Sequence, residues 1–192
     1  MISLAFMPVA VVGAVFLLLI VVIVLVLVGL YNNFVRLRNR VDNAWAQIEV
    51  QVQRRRDLIP NVVETVKGYA AHESSTLQRV VDARNTAMGA RSVGDLVAAE
   101  NQITSALRQL FALAENYPDL KANMSFLDLQ AQLRDTEDKI SHMRLSFNDC
   151  VMAFNNALQT FPGVVVAKMF GFTSRELFDA VPDAQVPPSV AF

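Results

Sequence analysis

Hydrophobic positions in this chain follow two patterns. From Val9 to Leu30 every residue is apolar except Gly13 and Gly29. Beyond that run, apolar residues recur at helical spacing. Phe34, Leu37, Val41, Ala44, Ile48 and Val52 are separated by 3, 4, 3, 4 and 4 positions, the seam of a helix. Asp57-Leu58-Ile59-Pro60 interrupts it. Asp57 suits a helix cap and Pro60 a first turn, where its missing N–H matters least. Asp57, Pro60 and Asn61 are therefore expected to form a turn, with a second helix over Leu58–Met88. Gly89 and Gly94 bracket the next turn. A third helix carries Leu96, Ile103, Leu107, Leu110, Ala114 and Tyr117 and stops before Pro118. The fourth has the clearest stripe: Phe126, Leu129, Leu133, Ile140, Phe147, Val151, Phe154, Leu158 and Phe161. Its one polar lapse is Thr136–Glu137.

These elements predict an all-α chain: an N-terminal transmembrane helix followed by an antiparallel four-helix bundle in up-down-up-down order. The expected divisions are a short N-terminus over 1–8, a span over 9–30, a bundle over 31–161 and an apolar C-terminal segment with an extended tail over 162–192. Helix lengths favour the turn at Pro60. A chain merely kinked there would carry a helix of ~90 Å beyond the bilayer, which a third helix of ~37 Å could not cover. With the turn, the end of the fourth helix near Phe161 returns towards the bilayer. Without it, that end lies far away.

The 22 residues of Val9–Leu30 make a helix of ~33 Å, matching a hydrocarbon core of ~30 Å. A cleavable signal peptide would need a basic start, a shorter run and a small-residue cleavage site. None is present, so an uncleaved signal-anchor is expected. Charge adds an orientation. Residues 1–35 hold no Asp, Glu, Lys or Arg, whereas 36–56 carry six arginines against Asp42 and Glu49. Arg36, Arg38 and Arg40 form a collar beside the span, and the positive-inside rule places that flank in the cytoplasm. The chain is expected in a bacterial inner membrane as a single-pass protein, N-terminus outside and bundle inside. If the arginines instead serve the bundle, a periplasmic bundle is the alternative.

Candidate chemistry subtracts more than it adds. The net charge of −1 excludes a uniformly basic nucleic-acid binder. A single cysteine, Cys150, excludes a disulfide framework. His72-Glu73 lacks the second histidine of a zinc-protease helix, and no Glu-x-x-His occurs, so no metal is expected. No phosphate-binding glycine motif is present, and neither cofactor, small-molecule substrate nor catalytic residue is expected. Arg55, Glu64, Glu137 and Arg144 lie near the packed seams and are expected to pair with one another, because buried polar groups need partners. The apolar strip Val164–Phe172, with Met169, Phe170 and Lys168 inside it, either caps the bundle core, lies at the lipid interface or contacts another subunit. The terminal stretch Val181–Phe192 either frays or offers Phe192 and its carboxylate to a partner.

The chain resembles the LemA family of bacterial membrane proteins over nearly its whole length. The resemblance rests on Leu37-Arg38-Asn39-Arg40-Val41 with Ala44-Trp45, on Gln47-Ile48-Glu49-Val50-Gln51, and on Arg55-Arg56-Asp57-Leu58-Ile59-Pro60-Asn61. It continues through Val66-Lys67-Gly68-Tyr69-Ala70, His72-Glu73, Thr136-Glu137, Phe154-Asn155, Phe161-Pro162 and Phe170-Gly171-Phe172. Phe147 and Phe154 depart from it, since the family often has Tyr before Asn there. The resemblance implies an N-terminal anchor, a soluble antiparallel helical bundle and no catalytic residues. The expected function is a membrane-anchored scaffold or adaptor that forms homo-oligomers or binds a membrane protein partner. The alternative is a lipid-surface or membrane-shaping protein that uses the arginine collar and the Val164–Phe172 strip.

Overall fold

The computed structural model describes residues 3–178, which are all-helical apart from turns and loops. Six helices follow in order: α1 (Ser3–Lys67), α2 (Ser74–Met88), α3 (Val93–Ala114), α4 (Pro118–Lys121), α5 (Met124–Gln159) and α6 (Gly163–Phe170). They belong to two compact units. One comprises the chain up to Val41 together with Met152–Arg175. The other comprises Asp42–Val151 and the segment starting at Glu176. Helices α1 and α5 contribute residues to both.

Helix α1 begins at Ser3, ahead of the apolar run, and it carries a stretch long and apolar enough to cross a membrane. None of that stretch is buried within the chain. The helix does not turn at Asp57, Pro60 and Asn61. It continues through all three and ends at Lys67. The turn falls at 68–73 instead, so the second helix starts at Ser74, not Leu58. Pro60 cannot donate to the carbonyl four residues earlier, which belongs to Arg56. Arg84 of α2 supplies the missing donor: its Nε–H lies 3.0 Å from the Arg56 carbonyl oxygen. A contact distant in sequence thus overrides the local break. The length argument is met elsewhere too. Helix α5, with 36 residues, or ~54 Å, is longer than the third helix.

In the second unit a single core draws on five helices. Ile59, Val62 and Val66 come from α1, Val80 and Ala87 from α2, Ile103 and Leu110 from α3, Leu120 from α4, and Phe126 and Leu133 from α5. Each group sits at helical spacing, so burying one stripe per helix removes these side chains from water. Helix α3 starts with a capping box. The Asp95 N–H donates to Ser92 Oγ (3.0 Å), and the Ser92 N–H donates to the Asp95 carboxylate (3.2 Å). Hydrogen bonds from the Ser92 hydroxyl and from the Arg91 and Ser92 backbone N–H groups hold the Asp95 carboxyl below its usual pKa. Pro118 opens α4 at a position where no N–H is needed. Asn123 accepts from the Phe126 N–H at the start of α5.

In the first unit α5 and α6 meet at a bend of 96°. Gly163, the first residue of α6, is buried. A Cβ there would lie 2.5 Å from the Ala157 carbonyl oxygen and 3.1 Å from the Phe34 ring. Glycine is what lets α6 seat on α5 and α1. At the other end Gly171 takes φ +72°, the left-handed cap that glycine adopts without strain. The Phe172 N–H then donates to the Ala167 carbonyl (2.9 Å) and closes the helix.

Candidate functional site

Helix α6 has two faces. Gly163, Val166 and Ala167 are buried and pack inward. Phe161, just ahead of α6, is 84% exposed, and Val165 and Met169 are 55% and 57% exposed. They recur every four residues and mark one exposed apolar face. Of the strip residues singled out by sequence, Val164 and Phe172 are half-buried, and Met169 and Phe170 are exposed. The strip therefore packs on one side and remains open on the other. An open cavity of about 350 Å³ lies between it and α1. Its walls are Val22, Val26 and Leu30 of α1 and Phe161, Val165 and Val166 of the strip, among other apolar residues.

Where the apolar run of α1 stops, aromatic rings gather. Tyr31 meets Phe170 edge-on at a centroid distance of 5.0 Å and Phe172 at 5.7 Å, and Phe34 meets Phe172 at 5.2 Å. The Arg38 guanidinium stands 5.8 Å from the Phe172 ring centre, within cation–π range. The collar is not uniform. Arg36 donates to Asn33 Oδ1 (3.4 Å), Arg38 lies over the ring, and Arg40 is exposed.

The second unit contains a buried charged cluster. Arg55 is 3% exposed and donates to Glu100 Oε2 (3.1 Å) and Thr104 Oγ1 (3.0 Å). It also pairs with Glu137, whose carboxylate accepts from the Thr104 hydroxyl (2.9 Å). Thr136 beside it is buried and donates to the Leu133 carbonyl. The polar lapse in the α5 stripe is thus where α5 meets Arg55. The structure brings Arg55 and Glu137 together. Glu64 is exposed and lies 3.5 Å from Lys67, and the Arg144 guanidinium lies 4.7 Å from the Phe178 ring centre. Burial pushes the Glu100 carboxyl above its ordinary pKa, and Arg55 pulls against that rise. Glu100 sits on an otherwise ordinary helical stretch, and its neighbours in sequence gave no signal for this role. A cavity of about 290 Å³ adjoins the cluster beside Arg108 and Arg134. Its one buried cation, Arg55, faces two carboxylates.

Asn148 and Asn155 of α5 act as backbone readers. Within the first unit the Asn155 side chain donates to the Arg175 carbonyl and accepts from the Arg175 N–H, both at 2.9 Å. Within the second, Asn148 Oδ1 accepts from the Phe178 N–H (2.8 Å). Phe178 is buried there against Trp45 and Phe147. Phe147 fills this ring cluster without needing a hydroxyl. Phe192 and the tail from residue 179 lie outside the described residues. Among the described residues no three His, Cys, Asp or Glu side chains could hold a metal ion together.

Comparison with known proteins matches residues 44–192 to the family model described as LemA family. The chain is 26% identical to magnetosome protein MamQ of Magnetospirillum gryphiswaldense, covering 94% of this chain and 76% of that protein. It is 28% identical to protein LemA of Metamycoplasma hominis, covering 86% and 76%. A MamQ protein of Paramagnetospirillum magneticum is 25% identical, covering 82% and 67%.

Proposed function

Since the chain belongs to the LemA family, we propose that it is a non-catalytic scaffold or adaptor, anchored in a membrane by the start of α1. In this reading the helices of the second unit form an up-down four-helix bundle that self-associates or binds a membrane protein partner. The observation that carries it concerns α1. One unbroken helix supplies both the exposed apolar stretch and the core residues Ile59, Val62 and Val66. A helix that ends in a packed core presents that core wherever its apolar end is held. The buried charges support a structural role, because Arg55 is matched by Glu100 and Glu137 within the fold.

The collar favours an inner-membrane protein with its N-terminus outside and its bundle in the cytoplasm. A cysteine at exposed Ser75 in a Cys150→Ser background tests this. An impermeant maleimide should label it only after spheroplasts are lysed; labelling of intact spheroplasts would place the bundle in the periplasm. Particle-size measurements of the full chain in nanodiscs should show assemblies, and in-cell cross-linking should recover a membrane protein. A lone monomer with no cross-linked neighbour would defeat the scaffold reading. A lipid-surface role is the second reading, favoured by the exposed face formed by Phe161, Val165 and Met169.

A further inference from the structure

We propose that the groove between α6 and α1 seats a phospholipid acyl chain, with the Phe161–Val166 end of the strip in the hydrocarbon of one leaflet and Lys168 at its polar edge. The inference goes beyond the scaffold reading and rests only on its premise that α1 spans a bilayer.

The wall of the groove identifies its occupant. Val22, Val26 and Leu30 belong to the same apolar stretch, in which Val22 and Val26 are exposed and Leu30 is half-buried. A helix with that surface requires hydrocarbon about it. The groove is continuous with that surface, so the solvent that surrounds α1 also fills the groove. No polar side chain lines the cavity of about 350 Å³. It therefore suits part of an acyl chain and offers nothing to a headgroup.

Depth agrees. Val22 precedes Leu30 by eight positions, or ~12 Å of helix, and half of a ~30 Å hydrocarbon core is ~15 Å. The groove thus stays inside one leaflet. The Tyr31, Phe170 and Phe172 rings stand where the apolar run stops, the level at which aromatic side chains mark the membrane–water boundary. Arg38, beyond them, lies at the height of phosphates. Capping does not account for the exposed face, because Gly163, Val166 and Ala167 on the other face already do the packing.

The test uses the full chain in vesicles of phosphatidylethanolamine and phosphatidylglycerol, doped with a phosphatidylcholine that carries a diazirine in mid-chain. After irradiation, adducts are mapped by mass spectrometry. Adducts are expected on 22–30 and on 161–166. Leu27→Trp, which fills the groove, should lower the yield at 161–166 several-fold and leave labelling of 11–21 unchanged. Labelling of 11–21 without 161–166 overturns the proposal while the span stands. Labelling of neither removes the span and the proposal together. Disulfide-linked dimers of Val165→Cys in a Cys150→Ser background, with 161–166 unlabelled, would give the groove to a second copy and overturn the lipid assignment.

Discussion

Arg55 is held by two carboxylates of unequal exposure, and the more buried one, Glu100, carries a pH signature. Glu100 is 4% exposed, and burial raises its pKa. A carboxyl whose pKa is higher folded than unfolded contributes stability that is fully present below the unfolded value, near pH ~4. That contribution is lost as pH rises through the folded value. Gln at this position does not titrate. The stability of Glu100→Gln relative to the parent should therefore improve between pH ~4 and pH ~7, read by denaturant unfolding of the full chain in detergent. A pH-independent difference would mean that Glu100 ionises equally well in both states. Arg55 and Glu137 were visible in the sequence as polar residues on or beside packed seams. Glu100 was not, because α3 contains other exposed polar residues at similar spacing. The partners of Asn148 and Asn155 were hidden for another reason: both read backbone atoms, which any sequence supplies.

Among the elements, α5 was the most legible, since seven of its stripe residues are buried: Phe126, Leu133, Ile140, Phe147, Val151, Phe154 and Leu158. The second helix was the least, because Pro60 sends a local stop signal that Arg84 cancels from another helix. The two residues should be energetically coupled. Arg84→Met should cost about 1 kcal/mol by leaving the Arg56 carbonyl unpaired. In a Pro60→Ala background, where residue 60 regains its N–H, that cost should shrink. A double-mutant cycle on unfolding midpoints checks it; additive effects would show that Arg84 serves some other purpose. Helix α6 depends on its first residue. Gly163→Ala forces a methyl against the Ala157 carbonyl and should cost about 1–3 kcal/mol. Faster proteolysis between residues 161 and 172, with the core of the second unit still protected, is the expected result.

At the scale of the whole molecule the charge balance separates two kinds of surface. The uncharged stretch before Arg36 includes a run apolar enough to cross a membrane, whereas residues 57–192 carry a net −5. Deleting residues 1–30 should turn the chain from an integral into a peripheral membrane protein, extractable by alkaline carbonate. The exposed Phe161, Val165 and Met169 remain, so the shortened chain should still bind anionic vesicles. Changing those three to Ser should weaken that binding several-fold in a flotation assay. Binding that survives the change would leave the arginines as its source. The apolar stretch of α1 was legible because it needs only composition and period. How far each helix runs was not, because long-range donors and core contacts set the ends.

Pro60 has one more consequence, for folding fidelity. A proline within a helix leaves a carbonyl bare at a known place. Only an α2 docked in one register brings a guanidinium to it. Slipped pairings of α1 and α2 could bury comparable apolar area, yet each would strand that oxygen. A docking of α2 that moves Arg84 away leaves the Arg56 oxygen without this donor, a loss that costs about 1–3 kcal/mol when the oxygen is buried.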